Sequence, residues 1–186
     1  MARMKRYCHG HGNVSCKANI LHIIYNIYNK RFLKLKLVCD RRAASANILA
    51  SQSFTTGKHY WEVDVGGSQN WSVGVAVHNK IKNGVDYYLG NNKRSWVLES
   101  DEGDLRARHD NNVSIVKEAS VQRLGVFVDC DKGRVRFYDV STGNVLHTFI
   151  IRFKGAVCPA FSLRDQLLLL ITHLMLQSPP IQLPFC

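Results

Sequence analysis

From Phe54 to Thr172 apolar residues recur at every second position in short runs, and glycine- or asparagine-rich turns separate the runs. Within residues 60–65, Trp61, Val63 and Val65 share one face while Tyr60, Glu62 and Asp64 share the other. That period of two predicts a strand. Residues 71–77 repeat it, with Trp71, Val73, Val75 and Val77 set against only Ser72, Gly74 and Ala76. Side chains that small let another layer approach closely, so this strand is expected to be buried on both faces. Residues 124–130, the turn Asp131-Lys132-Gly133 and residues 134–140 predict a hairpin. Shorter strands are expected at 95–98, 145–151, 160–162 and 167–172, whereas 78–95 (apart from Tyr87-Tyr88-Leu89) and the strongly polar stretch 99–112 read as loops.

Ahead of this region, Leu33, Leu35 and Leu37 alternate with Lys34 and Lys36, which predicts a strand with one wet face. Ile20, Ile23, Ile24, Ile27 and Tyr28 fall at helical spacing and predict a short amphipathic helix. It either packs on the body or offers an apolar stripe to a partner or a membrane surface. Residues 1–19 are polar, basic and without period, and read as an arm. Many short strands and almost no helix predict an all-β protein, an antiparallel sandwich or barrel, and no internal repeat is present.

Composition changes this picture in one respect. The chain of 186 residues carries a formal net charge of +11, a value that suggests nucleic acid until it is divided along the chain. Residues 1–42 hold ten Lys/Arg against the single acid Asp40, while residues 43–186 hold fifteen against thirteen. A phosphate-binding domain carries its basic patch on the folded body. Here the body is nearly neutral, so nucleic-acid or anionic-surface binding is an alternative confined to the N-terminal arm. The six cysteines (Cys8, Cys16, Cys39, Cys130, Cys158, Cys186) form no Cys-x-x-Cys pair, and no apolar leader precedes a small-residue cleavage site. Reduced thiols in a cytosolic or nuclear protein are the simplest reading, and a cytoplasmic location is the expectation. The longest apolar run, residues 167–171, is far short of the ~20 residues that span a bilayer.

Four blocks in order resemble one family. Residues 48–63, including Phe54-Thr55-Thr56-Gly57-Lys58-His59-Tyr60-Trp61-Glu62-Val63, resemble the entry block of B30.2/SPRY domains. Trp71-Ser72-Val73-Gly74-Val75-Ala76 resembles the next strand, and Leu124-Gly125-Val126-Phe127-Val128-Asp129 through Phe137-Tyr138-Asp139 the signature hairpin. Cys158-Pro159-Ala160-Phe161-Ser162 is similar to the closing block. The stretch Gly90-Asn91-Asn92-Lys93-Arg94-Ser95-Trp96 looks most like the C-terminal domains of tripartite-motif (RING, B-box, coiled-coil) ubiquitin ligases. The resemblance implies a bent antiparallel β-sandwich with a concanavalin-like, jelly-roll arrangement. It also implies no catalytic residues, no cofactor, and a protein or peptide partner. In such ligases this domain selects the target, and several serve innate immunity. No RING or B-box zinc pattern occurs in this chain, so ligase machinery would be reached only through a longer parent protein. The implied organisation is a basic arm at 1–30, a shortened PRY-like segment at 31–53, the SPRY part at 54–172 and a tail at 173–186.

In that sandwich, loops 66–70, 78–88, 99–113 and 162–166 are expected to gather at one edge. The expected contact residues are Asn70, Tyr87, Tyr88, Arg94, Trp96 and Arg164. Aromatic and guanidinium groups dominate interface hot spots, because rigid rings bury much area and Arg grips a carboxylate twice. Trp96 has a second reading, as the core anchor of its own strand, and core packing is the reading for Trp61 and Trp71. Cys8, His9, His11 and Cys16, with His22, offer soft ligands, but no second pair completes a zinc finger, so no metal site is expected. No G-x-S-x-G, H-E-x-x-H, phosphate loop or dinucleotide fingerprint is present. Asp129 and Asp131 read as turn acids serving the backbone. His59, Asp64 and Ser72 could form a triad only if the fold brought them together.

Overall fold

The computed structural model describes residues 20–22, 34–38, 46–66, 69–77, 88–117, 120–163 and 170–175. Within them the chain forms strands β1 (Ile20–His22), β2 (Lys34–Val38), β3 (Ala46–Ala50), β4 (Lys58–Asp64), β5 (Trp71–Val77), β6 (Ser95–Asp101) and β7 (Asp104–His109). It continues through β8 (Asn112–Ile115), β9 (Arg123–Asp129), β10 (Arg134–Asp139), β11 (Val145–Ile150), β12 (Val157–Leu163) and β13 (Leu170–Met175). They build two antiparallel sheets. One has eight strands in the order β1-β2-β3-β12-β5-β6-β7-β8, the other five in the order β11-β10-β9-β4-β13. No helix occurs among the described residues.

The alternation seen in the sequence becomes the core. Trp61 and Val63 of β4, Val126 and Val128 of β9 and Phe137 of β10 belong to one buried cluster with Val73 and Val75 of β5, Leu98 of β6 and Phe161 of β12. β5 is buried along its whole length, as its two faces predicted. Its small outer-face residues have a specific purpose at Gly74, which pairs with Val97 on one side and Ala160 on the other. A Cβ at Gly74 would drive into the Trp96 carbonyl and reach 2.7 Å from the Val97 Cα. The β9–β10 turn is equally constrained: Gly133 adopts φ +61°, and the Ile151 amide donates to its carbonyl at 2.7 Å.

Three expectations need correction. The helix anticipated from Ile20 begins instead as β1, which pairs with β2 through Leu21↔Leu35. β-branched residues suit a pleated surface better than a helix, and a partner strand was at hand. Residues 23–33 lie outside the described set. The polar stretch 99–112 is not a loop but the end of β6, all of β7 and the start of β8, turning at Glu102-Gly103 and Asp110-Asn111. Leu105 and Ala107 are its buried face. The Arg106 guanidinium, on the other face, pairs with Asp101 at 2.8 Å and Asp104 at 3.3 Å. The last strand also extends beyond residue 172, to Met175.

Gly74→Ala should destabilise the fold by roughly 1–3 kcal/mol, because the neighbour that must move is backbone and not a flexible side-chain end. A urea melt followed by tryptophan fluorescence checks this, and an unchanged midpoint would refute the close approach of β5 and β6.

Candidate functional site

Between β5 and β6 the segment 88–95 folds into a compact turn built by its own polar side chains. The Asn92 Oδ1 accepts from the Arg94 amide at 2.9 Å and from the Ser95 hydroxyl at 3.1 Å. Its Nδ2 donates to the Tyr88 carbonyl at 3.0 Å, and the Gly90 amide donates to the Ser95 Oγ at 2.8 Å. Asn and Ser at these spacings compete with regular structure by bonding the nearby backbone. The turn is then fastened to its neighbours. The Val77 amide donates to the Arg94 carbonyl at 2.8 Å, and the Asp110 amide to the Asn92 carbonyl at 3.2 Å. A buried ion pair holds it down on the outer face of the large sheet: Arg108 donates to both Glu99 oxygens at 3.0 and 3.1 Å, and to Asn91 Oδ1 at 2.7 Å.

This anchoring leaves Lys93 and Arg94 exposed on the rim of an open groove of about 530 Å³. The groove lies where the inner faces of the sheets part, between β6–β7 on one side and edge strand β11 on the other. Its floor is aromatic. The Trp96 ring stacks on His109 with centroids 4.7 Å apart and meets Phe153 edge-on at 5.8 Å. Phe149 meets His109 at 6.3 Å and His147 at 4.4 Å. The His109 Nδ1–H donates to the Ser95 carbonyl at 2.9 Å, which fixes the ring's orientation. Burial holds the His147 imidazole below its ordinary pKa. The far rim carries Arg152 and Lys154, both exposed, and Ile150, which is 83% exposed.

The expected contact residues do not form one cluster. Arg94 and Trp96 both line the groove, but Trp96 is only 6% exposed and contributes chiefly to the core, presenting an edge. Tyr88, 36% exposed, stands at the root of the turn. Asn70 lies at the opposite end of β5, roughly 20 Å away by strand rise. There its Oδ1 accepts from the Glu102 amide at 3.0 Å. Tyr87, Arg164 and most of loop 78–88 lie outside the described residues, as do Cys8, His9, His11 and Cys16. The rest of the groove's lining escaped the sequence reading, His109, Phe149, Ile150, Arg152 and Lys154 among it. The basic–aromatic alternation Arg152-Phe153-Lys154 was a signal, but nothing in the sequence placed it opposite Arg94.

The residues weighed for catalysis are engaged otherwise. Asp129 accepts from the Lys132 amide at 2.9 Å, and both Asp131 oxygens accept from the Gly57 amide at 3.1 Å. His59 and Asp64 sit at opposite ends of β4, and Ser72 belongs to the other sheet, so no triad is assembled. Among the described residues no three His, Cys, Asp or Glu side chains could jointly hold a metal ion. No helix among them is long and apolar enough to cross a membrane. The Cys130 thiol, half-buried between two aspartates, is pushed up to about 11 by burial first and by Asp131 and Asp129 next.

With this geometry in view, the chain can be compared with known proteins. The SPRY domain family model matches residues 58–171. Butyrophilin subfamily 1 member A1 of Mus musculus is 36% identical over 117 residues, covering 62% of this chain and 22% of that protein. The probable E3 ubiquitin-protein ligase MID2 of Mus musculus is 34% identical over 120 residues, covering 64% of this chain and 17% of that protein. Each alignment thus spans about a fifth of the relative's length. Among solved structures, the TRIM65 PSpry domain superposes with a TM-score of 0.57 at 22% identity, covering 74% of this chain and 83% of that one. That last likeness concerns the fold alone.

Arg108→Leu should lower stability by about 3–5 kcal/mol, because it strands the Glu99 carboxylate in the interior. The double variant Glu99→Leu/Arg108→Leu should recover part of the loss, and urea melts of the three proteins measure the coupling. Cys130, with little thiolate at pH 7.5, should react with iodoacetamide about a hundredfold more slowly than a free cysteine. Peptide mapping before and after addition of urea tests this, and equal rates in the two states would refute it.

Proposed function

The chain belongs to the SPRY domain family, and from that premise we propose that it recognises a protein or peptide partner through the groove between β7 and β11. SPRY domains are interaction modules. The observation that carries the assignment to this groove is the pairing of a fixed aromatic floor with exposed cations on both rims. Rings held by stacking and by the His109–Ser95 hydrogen bond lose little entropy when covered, and Arg supplies directional hydrogen bonds. Arg94 and the Trp96 edge are the contacts carried over from the sequence. Tyr88 extends them along the same turn, and Asn70, at the far end of β5, takes no part.

The chain functions as the target-selecting part of a ubiquitin-ligase-type protein of the cytoplasm. The likeness to MID2, named a probable E3 ubiquitin-protein ligase, supports this reading. It performs no chemistry of its own, and transfer of ubiquitin belongs to a longer parent.

Arg94→Ala should weaken capture of the partner by roughly 5- to 30-fold while leaving the melting temperature unchanged, as the loss of an exposed interface arginine does. Ile150→Asp on the opposite rim should act in the same direction. In a parent ligase, Arg94→Ala should suppress ubiquitin transfer to the target and spare self-ubiquitination. A partner retained at full affinity by both variants would exclude this groove.

A further inference from the structure

We infer that the groove selects an acidic linear segment, in which carboxylates engage Arg94, Arg152 and Lys154 and an apolar side chain packs on Phe149 and Ile150; this rests on the recognition reading above. Among the described residues the lining holds Lys93, Arg94, Arg152 and Lys154, with His109, and no Asp or Glu. Asp110 pairs with Lys93 at 3.9 Å, and among the described residues no ion pair engages Arg152 or Lys154. Such a run of one sign is local. Across residues 43–186 the fifteen basic side chains face thirteen acids, so the body as a whole offers a partner almost no net field.

The cations come from two separate elements, the turn at 93–94 and the β11–β12 connection at 152–154. They flank the groove on both sides, and a chain lying in it would be gripped along its length. Low-dielectric walls beside charges of one sign raise the local concentration of an oppositely charged ligand. Half-buried Phe149 on the floor and Ile150 beside the far-rim cations supply an apolar seat. An acidic segment with one embedded apolar residue matches both features, whereas a basic or purely polar segment matches neither.

Nucleic acid would satisfy the charge but not the floor. Single strands are held by free aromatic faces on which bases stack. Here the Trp96 ring is 6% exposed, and His109 covers one of its faces at 4.7 Å. What it presents is an edge.

Display of random peptides against the full chain, followed by fluorescence anisotropy of the selected sequences, tests the inference. Selected peptides should be enriched in Asp and Glu, and replacing those acids with Lys should weaken binding at least about tenfold. The variant Arg152→Glu/Lys154→Glu alters exposed residues and should fold normally. It should lose about tenfold for the acidic peptides and gain for their Lys counterparts. Raising salt from about 0.05 M to about 0.5 M should weaken the wild-type interaction. Selected peptides without acidic excess that are nevertheless lost on Ile150→Asp would overturn the acidic inference and leave the recognition reading standing. Binding untouched by any groove variant, or no selected peptide at all, would overturn both. An oligonucleotide that outcompetes the acidic peptides and is lost on the same charge reversal would assign the groove to nucleic acid and overturn the inference.

Discussion

The close passage of β5 between β12 and β6 is the constraint on which the other parts rest. Gly74 sits where the backbone of β6 leaves no room for a Cβ, and Ser72 and Ala76 flank it on the same face. Their register fixes that of β6, pairing Val75 with Trp96 and Val73 with Leu98. A slip by one residue would turn Trp96 and Leu98 outward and point Val97 and Glu99 at the space between the sheets, parting Glu99 from Arg108. The same register carries Trp96 to the sheet's end, where it meets His109 of β7. The groove's floor is therefore a consequence of packing at the centre of the large sheet, some distance away.

Why the sandwich opens at that place follows from its edges. β11 ends the five-stranded sheet, while opposite it the larger sheet continues through β7 and β8. Inner-face side chains near β11 lack a full layer above them, so His147 and Phe149 remain half-buried while Trp61 and Val126 are sealed. A wider sheet facing a narrower one leaves an uncovered strip, and here the strip is aromatic. The Glu99–Arg108–Asn91 network then determines what overhangs it, because it clamps the 88–95 turn in the position from which Lys93 and Arg94 project. That ion pair earns its burial through geometry more than stability, since a buried pair replaced by apolar residues of like size is often no less stable.

How much of this the sequence disclosed depended on how the physics distributes its signals. Strands β4, β5, β9 and β10 were readable because each buries one continuous apolar face, and small residues on β5 announced its second covered face. The region 99–112 was misread because its buried face amounts to Leu105 and Ala107, while Arg106 and Arg108 give it the polarity of a loop. The carboxylates of Asp101, Asp104 and Glu99, brought alongside by the hairpin, pair with those arginines and let them stand in a strand. Ile20 to His22 failed in the opposite sense: local spacing favoured a helix, and a nearby strand overrode it. Within the site, Arg94 and Trp96 were found because they are adjacent in sequence and of types that bind. Arg152 and Lys154 were not, since their meeting with Arg94 is created by the pairing of sheets some sixty residues apart in the chain.

The scaffold and the proposed recognition surface answer to different constraints, and this separates what such a domain must keep from what it can vary. Gly74, Trp61 and Val73 have no freedom, because each is enclosed on all sides. Lys93, Arg152, Lys154 and Ile150 contact mainly solvent, so their exchange costs the fold almost nothing and changes the groove's field and seat directly. On the reading proposed above, a charge reversal at two of them would change the preferred partner while leaving the core contacts in place. Specificity in this architecture is thus set by exposed side chains held in fixed positions by buried ones. Under that proposal the rigid aromatic floor would supply affinity that many partners could share, and the sign of the rim would decide among them.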